Sequence, residues 1–404
     1  MYHSQKTQLR HLSKTEFQLL RHLTHTAKSV YNEMLYTMTN YYDVYNEFLT
    51  YTDTCFMVKN LENYKKLPSQ VGQQVLKVLD KNWASYFRLL RERKRGNYNR
   101  PISEPHYLPK DGHFVCIFQK QSFSLKENTV RLSLGKWCKK HFGMDFFTIP
   151  IPENVIGKPI KECRLLPRQH GRFFALEFVY EVPEQHPVVD PQKIMAIDIG
   201  LDNFATCTTS DRASFILEGR GLKAYNQLWN KRKAQLQSQY DRQGITFGKK
   251  TAILNHDRDN KMRNAMSQYV NHLIKHCIEH QIGQIVIGEL KEIKQHGHLG
   301  KKNNQHFQSM PYGLFRAKLK SKCELYGIQY VLVNEAYTSQ TCCRCGNVDK
   351  KSRIHRGLYV CRKCGVTINA DQNGSINIGN KVAPNFTEGS SGTLNAPERV
   401  RLLI

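Results

Sequence analysis

The chain has 404 residues, and Lys and Arg outnumber Asp and Glu by 60 to 34, a formal net charge of +26. At 40% hydrophobic residues it is too apolar for a disordered basic tail and long enough for two to four domains; so positive a folded surface calls for a polyanion, with nucleic acid as the leading partner. The polar start, the lack of any apolar run near about 18 residues and 12 cysteines without a secretory disulfide pattern argue against a signal peptide and a membrane span; the expected location is reducing, cytoplasmic or nucleoid-associated in a prokaryote.

Ser13-Lys14-Thr15-Glu16 has capping-box form. Leu19, Leu20, Leu23, Ala27, Val30, Tyr31 and Met34 follow at helical spacing. A second amphipathic stretch, 69–90, sets Val71, Val75, Leu79, Trp83, Tyr86, Phe87 and Leu90 on one face, as core rather than base-stacking groups. It ends in Arg91-Glu92-Arg93-Lys94-Arg95, and Lys77, Arg91, Arg93 and Lys94 are the candidate nucleic-acid backbone contacts.

From 99 to 191 the pattern changes. Prolines recur, and short β-type segments at 114–118, 129–134, 146–151 and 173–182 predict a small β-barrel or sandwich. Residues 7–12 could supply its first strand, which would make the helical region an insertion. The stretch 183–191 reads as a linker.

From Lys193 onward strands and helices alternate. Ile194-Met195-Ala196-Ile197 reads as a buried strand ending at Asp198-Ile199-Gly200, with Leu201-Asp202-Asn203 as a turn into 204–208, its hairpin partner. A long polar helical stretch, 221–280, breaks near Gly244. Gln284-Ile285-Val286-Ile287 is a second buried strand, ending at Gly288-Glu289; a helix at 307–326 and a strand at 329–333 follow. Residues 381–404 read as a loose tail. No strong tandem repeat is visible.

Asp198 and Glu289 stand where open α/β sheets build their sites, at the carboxyl ends of strands. Asp371 opens a predicted helix over 372–378. Three carboxylates from separate segments can converge on two Mg²⁺ ions about 4 Å apart, one activating water and the other stabilising the leaving 3′ oxygen of a phosphodiester. Hard cations of this kind take oxygen ligands. Asp202, Asp211 and Glu335 read as turn or capping groups.

Between these acids lie Cys342-Cys343-Arg344-Cys345 and Cys361-Arg362-Lys363-Cys364, two CxxC pairs separated by 15 residues. Cys342, Cys345, Cys361 and Cys364 have the spacing of one tetrahedral all-thiolate zinc site, closed and therefore structural. Cys343 is out of register, and His355 could substitute only where a cysteine fails. Arg344, Lys350, Lys351, Arg353, Arg356, Arg362 and Lys363 make this module basic.

The segments Asp198 to Thr206, Ile287 to Leu290, Tyr337 to Gly346 and Asn369 to Ile378 resemble TnpB, the transposon-encoded RNA-guided nucleases related to type V CRISPR effectors. The resemblance covers about 193–380 by motif and the N-terminal half by layout. It implies a multidomain α+β fold. An N-terminal β-barrel (wedge), with first strand in 1–12 and body in 99–190, holds an inserted helical recognition region at 13–98. A C-terminal RNase H-like RuvC α/β domain, 191–337 and 369–380, is interrupted by the zinc ribbon at 338–368, and a flexible tail follows. It also implies that Asp198, Glu289 and Asp371 are catalytic Mg²⁺ ligands. The expected partners are a guide RNA from the transposon end and matched double-stranded DNA beside a short adjacent motif. One protein copy per RNA and no membrane are expected. Asn369 stands where the family commonly has a charged residue or His, and Asn373-Gly374-Ser375 replaces the usual Asn-Ala-Ala. Two other readings compete: a nuclease-inactive guide-directed repressor, which need not keep the carboxylates, and a conventional transposase that joins strands without a guide.

Overall fold

The computed structural model describes residues 1–185, 187–289, 300–355, 357–384, 386–387 and 396–402. The chain divides into two units, Met1–Pro183 and Glu184–Ile404.

The first unit runs β1 (Tyr2–Gln8), α1 (Lys14–Tyr45), α2 (Tyr51–Met57), α3 (Glu62–Lys65), α4 (Ser69–Lys94), β2 (Cys116–Gln119), β3 (Phe123–Lys126) and β4 (Thr129–Ser133). It continues through α5 (Lys136–Phe142), β5 (Phe146–Pro150), β6 (Ile160–Arg168) and β7 (Phe173–Glu181). The strands form a four-stranded sheet, β1-β7-β6-β2, and a three-stranded sheet, β3-β4-β5. β1 pairs antiparallel with β7 from Tyr2 opposite Glu181 to Gln8 opposite Ala175, so all four helices α1–α4 intervene between neighbouring strands of one sheet.

The opening strand lies earlier than the expected 7–12. Its side chains are polar and alternate between exposed and half-buried, so no apolar period marks it; backbone pairing with β7 makes it a strand. β6 also escaped the sequence reading, because Pro159 and Pro167 punctuate it. Its Ile160, Cys163 and Leu165 are nevertheless buried, and Pro167 sits near its end, opposite Phe174. β3 and the short helix α5 were likewise not anticipated.

The helical hairpin follows from local signals. Ser13 Oγ accepts from the Glu16 amide at 3.2 Å while Glu16 Oε2 accepts from the Ser13 amide at 2.8 Å, closing the capping box of α1. Val71, Val75, Leu79 and Trp83 of α4 are buried against Leu19, Leu23, Val30 and Met34 of α1 in one core. Trp83 is stacked on Phe87 and flanked by Phe48 and Tyr42.

The second unit contains β8 (Asp190–Ile199), β9 (Asn203–Thr209), β10 (Ser214–Glu218), α6 (Arg220–Asp241), α7 (Lys249–Glu279), β11 (Ile282–Glu289) and β12 (Gln329–Asn334). Two helices, Lys301–Ser309 and Tyr312–Leu325, precede β12. The sequence expected one helix there; Pro311, which lacks an amide hydrogen, separates the two. Three short strands follow, β13 (Arg353–His355), β14 (Leu358–Val360) and β15 (Thr367–Ile368), then the helix Ala370–Asn380 and β16 (Glu398–Val400).

The central sheet has the order β12-β11-β8-β9-β10-β16. β8, β9 and β10 form an antiparallel meander, while β11 runs parallel to β8 and β12 parallel to β11. β8 and β11 are nearly continuous apolar runs because both of their faces are covered. α7 and the Tyr312–Leu325 helix cover one face, where Phe204, Tyr269, Tyr312 and Phe315 meet. The Ala370–Asn380 helix and the cysteine module cover the other. β16 corrects the reading of 381–404 as a loose tail: it pairs parallel with the edge strand β10. The Gly389-Ser390-Ser391-Gly392 run lies outside the described residues. Among the described residues no helix is long and apolar enough to cross a membrane.

Candidate active site and metal centre

β8 and β11 are adjacent and parallel, with Ile197 in register with Ile287, so Asp198 and Glu289 lie at neighbouring carboxyl ends, offset by one residue, and both line one cleft. The helix Ala370–Asn380 packs on β8 and β9 and brings Asp371 to the same place. One cleft of about 360 Å³ is lined by Asp198, Glu289 and Asp371 together with Glu335, Arg353 and Asn203.

Local chemistry positions each acid. Gly200 lets the β8–β9 turn close, since a Cβ there would run into the Asn203 carbonyl. Tyr312 Oη donates to the Gly200 carbonyl at 2.9 Å and braces that turn from below. Asn369 is the N-cap of the last helix: its Oδ1 accepts from the amides of Asp371 (3.0 Å) and Gln372 (3.1 Å). Any short side chain with a cap acceptor meets that need, which accounts for Asn369 at this position. Gly374, five residues on from the cap, lies flat against the first acid; a Cβ there would stand 2.7 Å from Asp198 Oδ2.

The cleft is crowded with negative charge. Burial pushes the Asp198 carboxyl up to about 8, Asp371 and Glu335 add to the rise, and Arg353 opposes it. Asp371 is held at both oxygens: Arg353 Nη2 donates to Oδ1 at 2.9 Å, and Asn203 Nδ2 donates to Oδ2 at 2.7 Å.

Three of these groups were missed by the sequence reading. Glu335, taken as a turn residue, follows directly on Asn334, which is in register with Glu289 at the end of the neighbouring parallel strand. The strand-end rule that selected Asp198 and Glu289 also selects Glu335, had β12 been extended by one residue. Arg353 was counted only as part of a basic module and Asn203 only as a turn. Their contacts with Asp371 span 18 and 168 residues, and no local pattern encodes them. Asp202 and Asp211 do behave as structural acids, the first paired with Lys223 at 2.8 Å and the second accepting from the Thr209 hydroxyl.

Beside the cleft, one ligand atom from each of Cys342, Cys345, Cys361 and Cys364 lies within 4.8 Å of the others, a group that could bind zinc. The two CxxC turns are built alike. The Gly346 amide donates to the Cys342 carbonyl and the Gly365 amide to the Cys361 carbonyl, at 3.0 and 2.9 Å. Backbone amides of Cys364 and Lys363 hold the Cys361 thiol down at about 6, whereas burial pushes Cys342 up to about 12. Four thiolates at this spacing repel one another unless a cation lies among them. Cys343 is outside the group; its amide donates to Asn373 Oδ1 at 2.9 Å. His355 is exposed on β13 and also outside it. Asn373 and Asn377 donate to the Thr341 carbonyl at 2.8 and 2.7 Å, tying the cysteine module to the helix that carries Asp371.

The remaining candidates lie in the first unit on α4. Arg91, Arg93 and Lys94 are exposed in its last turn. Lys77 is half-buried, with Nζ 5.5 Å from the centre of the Tyr51 ring.

Residues 312–378 match the family model "Cas12f1-like, TNB domain", and residues 177–294 match OrfB_IS605, described as "Probable transposase". The chain is 25% identical over 204 residues to the CRISPR-associated endodeoxyribonuclease Cas12f1 of Syntrophomonas palmitatica, covering 48% of this chain and 40% of that protein. It is 23% identical over 367 residues to the TnpB-like protein ORF457 of Acidianus two-tailed virus (79% and 74% covered), and 23% identical over 388 residues to InsQ of Escherichia coli K12 (92% and 90%). The chain spans about half the length, or less, of the Cas12f1 relatives, 40% and 49% for two of them. Among solved structures, Cas12f1 in its complex with sgRNA and target DNA has a similar fold, with a TM-score of 0.61 at 15% identity over 91% of this chain and 83% of that one.

Proposed function

We propose that the chain is a member of the TnpB family and an RNA-guided DNA endonuclease of a mobile element, a reading its matches to OrfB_IS605, to a TnpB-like protein and to InsQ support. It would cut double-stranded DNA matched to a guide RNA beside a short adjacent motif. The observation that carries this reading is the convergence of Asp198, Glu289 and Asp371 on one cleft from three separated segments of chain.

The donor set is all oxygen, which suits Mg²⁺, and the opposed ionisation of Asp198 is the signature of a site where a cation relieves carboxylate repulsion. Asp198, Glu289 and Asp371 would hold two Mg²⁺ ions, which when bound supply an activated water and stabilise the leaving 3′ oxygen. The chain's own residues orient and screen. Arg353 and Asn203 fix the plane of the Asp371 carboxylate. Arg353 also lines the cleft, and its five N–H donors in a planar fork suit a phosphate oxygen as well as a carboxylate. Burial first, and then the charges of Asp371 and Glu335, oppose ionisation of Asp198, an opposition that a bound cation would relieve.

We read the six-stranded sheet, with its antiparallel meander followed by two parallel strands, as an RNase H-like RuvC domain interrupted by a zinc ribbon on Cys342, Cys345, Cys361 and Cys364. The two sheets of the first unit correspond to the wedge, and α1–α4 to its inserted recognition region. The guide RNA and the target DNA account for the net charge of +26. Arg91, Arg93 and Lys94 supply backbone contacts, with Lys77 about four turns earlier on the same helix, and one protein copy serves one RNA.

The test begins with protein purified from cells carrying its native flanking DNA. Bound RNA is sequenced, and a plasmid matched to its guide end is offered with Mg²⁺. We expect a discrete RNA extending outside the element and cleavage by the wild type. Asp198→Ala, Glu289→Ala and Asp371→Ala should retain the RNA and lose cleavage. Variants that cut at wild-type rates refute the assignment of the carboxylates. Wild-type protein that binds matched DNA and leaves it whole is a repressor, and protein without a specific RNA is not guided.

A further inference from the structure

The strand β16 brings an arginine to the second carboxylate shell. β16 lies parallel to β10 with Arg399 in register with Ile216, and β10 in turn places Glu218 opposite Asn203 of β9. Arg399 Nη1 donates to Asn203 Oδ1 at 3.3 Å and to Glu218 Oε1 at 3.2 Å. The other end of the same amide, Asn203 Nδ2, donates to Asp371 Oδ2 at 2.7 Å. Arg401 Nε holds the second oxygen of Glu218 at 2.8 Å.

An asparagine amide has one accepting end and one donating end of nearly equal size, so its orientation is decided by its neighbours. A donor on Oδ1 obliges Nδ2 to face the carboxylate. Without it, Asp371 alone would select that orientation, and the amide would be freer to rotate about its last side-chain bond. Arg399 and Arg401 share the single negative charge of Glu218, and what sets Arg399 apart from Arg401 is its additional contact with the Asn203 amide.

We propose that Arg399 is a positioning residue of the cleavage site, fixing the Asn203 amide so that Asp371 keeps the orientation a metal ligand needs. This rests on the reading of Asp371 as a Mg²⁺ ligand. It gives the segment expected to be a loose tail a part in the chemistry: docking β16 on the sheet edge completes the shell around Asp371.

The test uses the zinc-loaded full chain with Mn²⁺ as probe, read by the electron paramagnetic resonance of the free ion, and in parallel the Mg²⁺ dependence of plasmid cleavage by the guide-loaded protein. A partner in direct contact with a metal ligand is worth about 10- to 100-fold in metal affinity. Arg399 stands one bond further out and is partly exposed, so Arg399→Ala should raise the Mn²⁺ and Mg²⁺ midpoints by about threefold to tenfold. Cleavage at saturating Mg²⁺ should change less. Arg399→Lys, which keeps a donor, should recover part of the loss. Arg401→Ala removes the same charge and another tie of β16 to Glu218 but has no contact with Asn203, and it should bind metal as the wild type does. The double variant of Asn203→Ala and Arg399→Ala should be no worse than Asn203→Ala alone.

Equal shifts in the Arg399 and Arg401 variants, or additive losses in the double variant, overturn the proposal and leave β16 a docking strand only. The two readings separate cleanly. Wild-type protein that binds Mn²⁺ through Asp371 but does not cut sinks the nuclease while the midpoints still judge Arg399. Wild-type protein that cuts with unchanged midpoints in Arg399→Ala sinks only the positioning role. If Asp371→Ala leaves Mn²⁺ binding unaltered, both fall.

Discussion

Replacing Asp198 by Asn should stabilise the metal-free protein while abolishing its response to Mg²⁺. Asp198 ionises at 3.8 in an unfolded chain and at about 8 in the folded cleft, because burial and the charges of Asp371 and Glu335 oppose the anion. Unfolding therefore releases a proton throughout that window. The stability this group permits is fully present below about pH 4, falls as the pH rises toward about 8, and is level beyond. Each pH unit is worth about 1.4 kcal/mol, so near pH 7 the protein has lost about 4 kcal/mol to this one carboxyl. An amide at the same place carries no such penalty. The ceiling for Asp198→Asn is thus about 4 kcal/mol, or roughly 10 °C in melting temperature for a unit of this size. Thermal melts of zinc-loaded protein without Mg²⁺, near pH 5, 7 and 8.5, measure it. The variant should melt above the wild type near pH 7 and 8.5, with a gap that narrows near pH 5. Added Mg²⁺ should raise the wild-type transition and leave the variant where it was. A variant no more stable than the wild type near pH 8.5, or a gap independent of pH, would refute the reasoning that charge repulsion in this cleft is held in check for a cation.

Removing the negative charge of Glu335 by Glu335→Gln should lower the Asp198 pKa, so the acid limb of the cleavage pH profile should move to lower pH; an unmoved limb would separate Glu335 from the site. Cys361→Ser should reduce bound zinc from about one per chain to near zero, as atomic emission would read, because a four-ligand site of this kind is a folding unit. Since Asn373 and Asn377 tie that module to the Asp371 helix, cleavage should fall with it. In the first unit Trp83 is fully buried among Phe48, Phe87 and Tyr42. Trp83→Ala should cost about 3–5 kcal/mol in denaturant unfolding, and Trp83→Phe far less, with Mn²⁺ binding in the second unit unchanged in both.

Signals contained within a few residues were legible without a structure. The capping box at Ser13 and Glu16, the apolar faces of α1 and α4, and the buried strands ending at Asp198 and Glu289 depend on periodicity and on side chains that cap their own backbone. The CxxC spacing belongs with them, because two such turns are enough to set four sulfurs around one ion. Elements that owe their form to a distant partner were not legible. β1 carries no apolar alternation and exists by pairing with β7, more than 160 residues away; β16 exists by pairing with β10. The same division runs through the candidate site. The sequence alone determined which carboxylates stand at strand ends and at a helix start. Only the tertiary structure decided that Glu335 joins them, that Arg353 and Asn203 hold the two oxygens of Asp371, and that Arg399 holds Asn203. Hydrogen bonds between side chains act over about 3 Å in space and take no account of separation along the chain, so only the packed fold can select their partners.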